Sequence, residues 1–226
     1  MFIAEVSSNH NSDLKRCIEF IKVSKDVGFD AVKFQLFKID QLFSKEILQK
    51  SKMHRERKKW ELNEEYIQIL SEECKKCEIK FGVTPFYLEA VDLIEDYVDF
   101  YKIASYELLW HDLIKKCASK NKHLIISTGM ANIDEIENML KIIDLKKTNL
   151  SILHCVSKYP APESELNLSA IQTMREQFKL KVGWSDHSNL KNVVLTAYLK
   201  WGAEIIEMHI DIDESGYEFS SGHCWL

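Results

Sequence analysis

His187 and His209 are the residues whose type and position point most sharply to chemistry. Each closes a short strand-like run: Lys181–Trp184, continued through Ser185 to His187, and Glu204–His209. On adjacent strands, two such imidazoles converge on one point and can share a divalent metal ion. Two hydrogen-bonded histidines at a sheet end are an equally simple reading. Other polar residues recur near the carboxyl ends of similar runs: Glu5, Lys33, Gln35, Thr84, Lys102, Ser105, Ser127, Ser185 and Glu207. Side chains alternate along a strand, so Lys33 shares a face with Gln35, Ser185 with His187, and Glu207 with His209. Lys33 and Lys102 are candidates for holding an anion, with Ser105, Ser127 and Ser185 as hydroxyl donors around a phosphate or carboxylate. Any one of these serines alone reads as a turn or a cap. A lysine here could instead form a Schiff base with a carbonyl substrate, which needs no paired histidines. Asp186 and Glu207 are candidates to orient the imidazoles.

Such a ring of polar ends needs many short strands. The strand-like runs are Phe2–Val6, Ala31–Leu36, Lys80–Thr84, Phe100–Ala104, Leu124–Ser127, Ser151–Cys155, Lys181–Trp184 and Glu204–His209. Amphipathic stretches alternate with them: Ser12–Val27, Asn63–Cys77, Leu88–Tyr97, Leu108–Asn121, Asn132–Leu145, Leu168–Phe178 and Leu190–Trp201. This alternation predicts an α/β fold, a closed TIM (β/α)8 barrel, in which the carboxyl ends of the strands form the active rim. A doubly wound open sheet is the alternative. Gly28 and Gly202 each end a helical stretch before a strand, the usual place of a left-handed cap. The polar stretch Phe37–Leu62 reads as an extended loop with room for a short helix, a solvated charge run rather than a substrate lid. The sequence stops soon after the eighth run, so the expectation is one barrel domain over residues 1–226 with the closing C-terminal helix missing.

The 226 residues suffice for one such core, with 46% hydrophobic and 29% charged residues. A net charge of −5 argues against a general nucleic-acid or anionic-membrane surface, without forbidding a small basic pocket. No run has the length of a membrane span, and the start at Met1-Phe2-Ile3-Ala4 has no signal-peptide pattern. The six cysteines show no disulfide framework, and a cytoplasmic address is expected. Cys74-x-x-Cys77 has no second pair to complete a zinc site. His54, His111 and His123 read as surface or helix-end residues, His154 as a satisfied core residue, and His10 as a positioner of the first loop.

Nine segments, in order, resemble the N-acetylneuraminate (sialic acid) synthase family and span nearly the whole chain. They are Ile3-Ala4-Glu5-Val6-Ser7-Ser8-Asn9-His10-Asn11, Asp30-Ala31-Val32-Lys33-Phe34-Gln35, Thr84-Pro85-Phe86, Tyr101-Lys102-Ile103-Ala104-Ser105, Ser127-Thr128-Gly129-Met130, Leu153-His154-Cys155, Tyr159-Pro160-Ala161-Pro162, Gly183-Trp184-Ser185-Asp186-His187 and Ile206-Glu207-Met208-His209. The resemblance implies a TIM barrel that condenses phosphoenolpyruvate with N-acetylmannosamine or a related amino-sugar aldehyde. It implies a divalent cofactor, Mn2+ or Mg2+, on His187 and His209. Glu5 would stand beside the reacting carbonyl or activate water. Lys33, Thr84, Lys102, Ser105, Ser127 and Ser185 would hold phosphoenolpyruvate, and Gln35, Glu107 and Tyr159 would lie near the sugar.

Three departures from the family pattern stand out. Ser157 replaces an asparagine present in some members. The loop that often reads Gly-Pro-Asp-His is here Ser220-Ser221-Gly222-His223, without the aspartate expected at the sugar. The family's C-terminal antifreeze-like domain, which reaches a partner's site with an arginine, has no counterpart in these residues, so a homodimer is left open. The rival readings are an inactive truncated barrel or binding remnant, and a Schiff-base aldolase.

Overall fold

Eight parallel strands pair in chain order and close on themselves, β8 returning to β1. The computed structural model describes residues 1–226. The strands are β1 (Phe2–Ser7), β2 (Ala31–Leu36), β3 (Lys80–Pro85), β4 (Phe100–Ile103), β5 (His123–Ser127), β6 (Leu150–Cys155), β7 (Lys181–Asp186) and β8 (Ile206–His209). The helices are α1 (Leu14–Asp26), α2 (Ile39–Leu42), α3 (Lys45–Lys50), α4 (Lys52–Glu56), α5 (Tyr66–Lys76), α6 (Leu88–Ile94), α7 (His111–Ala118), α8 (Ile133–Lys141), α9 (Ala170–Phe178) and α10 (Lys191–Leu199). This is the TIM barrel that the alternation predicted. No helix follows β8, whose continuation is a short turn at Phe219–Ser221 and a bridge between Ile210 and Trp225.

Local chemistry explains the boundaries. The Asp13 carboxylate accepts the Lys15 amide at 2.7 Å and starts α1. Asn132 and Glu135 form a reciprocal capping box at α8. Gly28 and Gly202 take the positive φ expected of helix-ending residues.

Residues 37–62 differ from the expected extended loop. They fold into α2, α3, α4 and a 3-10 turn at Arg57–Trp60. Ser44 and Ser51 cap α3 and α4 through their side chains. The ion pairs Lys50–Glu46 and Lys52–Glu56 follow helical spacing. The charge run that looked like a solvated loop is therefore also a pattern of short helices, and charge density alone hid it.

Two apolar layers fix the barrel. The larger lies between strands and helices, on the outward side chains such as Val32, Phe34, Phe81 and Trp184. The smaller fills the lumen with Ile3, Ala31, Phe100, Ile125, Leu153 and Ile205. The Phe100 ring fits only because residue 82 is glycine; a Cβ there would fall on the ring. Burying each large side chain of this plug contributes about 1.5–3 kcal/mol. With period two, the next inward residues are Glu5, Lys33, Lys102, Ser127 and Glu207, so the plug is the dry floor of a polar chamber. No helix is long and apolar enough to cross a membrane. All six cysteines are unpaired, and Cys74 packs in the outer core.

Candidate active site

Strand register sets the chamber. Glu5 pairs with Lys33 on one side and with His209 on the other. Gln35 pairs with Thr84, and Ser185 with both Cys155 and Glu207. One cavity at the carboxyl ends is lined by Glu5, Lys33, Gln35, Thr84, Lys102, Ser105, Ser127, Tyr159, Ser185, His187 and His209, together with Ala104, Cys155 and Glu207. Of the site residues expected from sequence, only Glu107 does not line it. Glu107 sits in the turn after β4, with a buried Oε2 that makes no hydrogen bond.

The floor of the cavity is an interlocked set of charges. Lys33 Nζ forms an ion pair with Glu5, donates to Thr84 Oγ1 at 2.7 Å and lies 3.5 Å from Glu207 Oε1. Lys102 Nζ donates to Ser127 Oγ at 2.6 Å and to the Ile103 carbonyl at 3.0 Å, and lies 3.6 Å from Glu207 Oε2. Ser185 donates to the same Oε2 at 2.8 Å. Glu5 Oε1 accepts from Gln35 Nε2 at 2.9 Å and from the Ser7 amide at 3.0 Å. All four charged side chains are buried, which is tolerable only because each has opposite charge or donors around it.

The two ammonium groups differ. Burial lowers the Lys33 pKa, but Glu5 and Glu207 outweigh it and the net shift is upward. For Lys102, burial outweighs the pull of Glu207, and neighbouring Lys33 adds to the downward shift. Burial likewise opposes ionisation of Glu207, but Lys102 and Lys33 hold it well below the usual carboxylate range. Glu107 shows the reverse: burial pushes its carboxyl up to about 7.

Above this floor the imidazoles meet. The ring centroids of His187 and His209 are 5.2 Å apart. His187 Nδ1 lies 2.7 Å from the Val156 carbonyl. Donation to that carbonyl places the proton on Nδ1 and leaves Nε2 as a ligand atom. Tyr159 covers His187 with centroids 4.0 Å apart. His223 joins them, 4.6 Å from His209 by centroids, and Glu218 lies beside both. Burial and the neighbouring His209 lower the His223 pKa to about 3, so its imidazole is neutral at pH 7. Buried His209 Nδ1, Glu218 Oε2 and His223 Nδ1 have no hydrogen-bond partner. The orphaned His209 Nδ1, 3.7 Å from the orphaned Glu218 Oε2, fits a divalent cation.

Several sequence expectations change. Asp186 orients no imidazole. It is a buried anchor that accepts from Trp184 Nε1 at 3.1 Å, Ser188 Oγ at 2.6 Å and Trp225 Nε1 at 3.1 Å. Glu207 serves the lysines instead of a histidine. His123 is neither surface nor helix end: it begins β5, and its Nε2 lies 2.9 Å from Ser151 Oγ. His154 is satisfied, with Nε2 2.8 Å from the Leu166 carbonyl, and His10 Nδ1 accepts the Ser12 amide at 2.9 Å. Cys155, Glu218 and His223 belong to the site without being among the residues the sequence singles out for it. Inward parity along β6 could have placed Cys155 at the rim; nothing in the spacing of the last loop signals Glu218.

Residues 20–220 match the sequence model of the NeuB family. An N,N'-diacetyllegionaminic acid synthase of Campylobacter jejuni is 38% identical, over 95% of this chain and 68% of its own length. One of Legionella pneumophila is also 38% identical, over 94% of this chain and 64% of its own length. Among solved structures, an N-acetylneuraminic acid (sialic acid) synthetase from Leptospira borgpetersenii, in complex with citrate, superposes with a TM-score of 0.90 at 33% identity, covering 96% of this chain and 76% of that one. The chain thus spans about two thirds of the length of the curated relatives.

Proposed function

The chain belongs to the NeuB family, and on that premise we propose that it condenses phosphoenolpyruvate with an amino-sugar aldehyde to give a nonulosonic acid and phosphate. The relatives named as synthases of legionaminic, pseudaminic and neuraminic acids support the class of product. The observation that carries the reading is the stacking of two layers in one cavity: two buried lysines with hydroxyl donors below, two converging imidazoles above.

In this reading Lys33, Thr84, Lys102, Ser105, Ser127 and Ser185 receive the carboxylate and phosphate of phosphoenolpyruvate. Lys33 and Lys102 already donate to Thr84 and Ser127, so each hydroxyl is oriented before an anion arrives. Gln35 and Tyr159 face the sugar, and Glu107 acts from beside the cavity. A divalent ion, Mn2+ or Mg2+, on His187 and His209 would supply electrophilic pull on the aldehyde oxygen. C3 of phosphoenolpyruvate attacks the aldehyde carbon, water adds at C2, and phosphate leaves with its bridging oxygen. Glu5, fixed by Gln35, Lys33 and the Ser7 amide, stands where it can take a proton from that water. Holding both reactants in contact is the larger share of the work.

A phosphate-release screen tests this. Purified protein with phosphoenolpyruvate and Mn2+ should release phosphate only when a suitable N-acylated amino sugar is added, and both His187→Ala and His209→Ala should abolish release. No release with any such sugar favours an inactive barrel.

A further inference from the structure

The loop after β8 brings two groups to the cavity rim that the proposed reaction does not use, Glu218 and His223. Glu218 Oε2 lies 3.7 Å from His209 Nδ1 and 4.0 Å from His223 Nε2. One coordinating atom from each of these three residues falls within 4.8 Å of the other two. His209 Nδ1, Glu218 Oε2 and His223 Nδ1 are buried without a hydrogen bond. A buried unpaired polar atom is costly, and the orphaned His209 Nδ1 and Glu218 Oε2, 3.7 Å apart beside the His223 ring, call for a shared partner. His187 stands on the same side, with its ring 6.3 Å from that of His223.

The loop is fastened in place. Asn9 Oδ1 accepts the Glu218 amide at 2.8 Å, and Asn9 Nδ2 donates to the Ile210 carbonyl at 2.8 Å. Arg16 binds Asp211 and Asp213, and the Trp225 amide donates to the His209 carbonyl at 2.8 Å. These bonds hold Glu218 and His223 over the barrel mouth.

We propose that Glu218 and His223 are ligands of the same divalent ion as His187 and His209, giving a set of three imidazoles and one carboxylate. The inference rests on the proposed function for the ion's role in the reaction and for His187, but the grouping of His209, Glu218 and His223 stands on the geometry alone. Three nitrogen donors favour a transition ion such as Mn2+, Fe2+, Co2+ or Zn2+ over Mg2+, which prefers oxygen. Electrostatics agrees: Lys33 and Lys102 face Glu5 and Glu207, and Glu218 adds a third carboxylate beside His209. A divalent ion turns that balance from negative to positive, as an anionic substrate requires. The loop that lacks the family's expected sugar-binding aspartate thus supplies metal ligands.

The test is Mn2+ binding to the substrate-free full chain, followed by electron paramagnetic resonance. Glu218→Gln and His223→Ala should each weaken binding at least about tenfold. Pulsed spectra of bound Mn2+ should lose one imidazole nitrogen coupling in His223→Ala. Thermal melts of the metal-free proteins, together with the isosteric Glu218→Gln, separate lost ligation from lost folding. Wild-type affinity in both variants, with binding lost in His209→Ala, overturns the proposal. Intact four-residue binding without phosphate release would instead count against the proposed function.

Discussion

Lys33 Nζ lies 3.5 Å from Glu207 Oε1 across the barrel lumen, although β1 separates their strands. The contact ties both to the network in which Glu207 also balances Lys102. Glu207→Gln leaves two buried ammonium groups short of one counter-charge. The expected cost is about 3–5 kcal/mol in urea unfolding of the metal-free protein at neutral pH. Because the folded-state pKa of Glu207 is depressed, its stabilisation is present above the unfolded carboxylate value and fades as pH falls below it. The gap between wild type and variant should therefore narrow on acidification below about pH 4.5.

Glu107 predicts the opposite slope. Its folded pKa is raised to about 7, so the folded state holds the proton more tightly than the unfolded chain. Stability from this group is full below the unfolded value and is lost as pH rises towards 7. Glu107→Gln should flatten that part of the profile and be the more stable protein above pH 7, by at most about 3 kcal/mol. Denaturant titrations across this range check it.

The hydroxyl partners of the lysines should act on phosphoenolpyruvate binding. Ser127 Oγ accepts from Lys102 at 2.6 Å and lines the cavity. Ser127→Ala should raise the KM for phosphoenolpyruvate about tenfold or more, the effect of one hydrogen bond to a charged group. The KM for the sugar should change little, as steady-state kinetics with each reactant varied in turn would show.

Lys102 has one property of a Schiff-base lysine, a lowered pKa. Its Nζ is instead engaged with Ser127, the Ile103 carbonyl and Glu207 as an ammonium donor. Borohydride added during turnover should leave no mass adduct on Lys102, and chelator should stop the reaction. A trapped lysine with chelator-resistant activity would reverse that assignment.

The barrel was legible because eight period-two runs alternate with seven helical stretches, and parity grouped Lys33 with Gln35, Ser185 with His187 and Glu207 with His209, all of which line the cavity. Ion-pair partners were not legible. Glu207 and Asp186 both stand next in sequence to lumen or rim residues, yet Glu207 points inward to two lysines while Asp186 anchors Trp184 and Trp225. The roles of Glu218 and His223 are not legible because the place of their loop depends on a bond from the Glu218 amide to Asn9, 209 residues away. Short helices in residues 37–62 were obscured by charge that suits a loop and a solvated helix equally.

The most direct measurement is mass spectrometry of a reaction run with phosphoenolpyruvate carrying 18O at the bridging oxygen, Mn2+ and an N-acylated amino-sugar aldehyde. The account predicts an acid three carbons longer than the sugar, with the label in phosphate. Label retained in the organic product, or the sugar recovered unchanged, would contradict it.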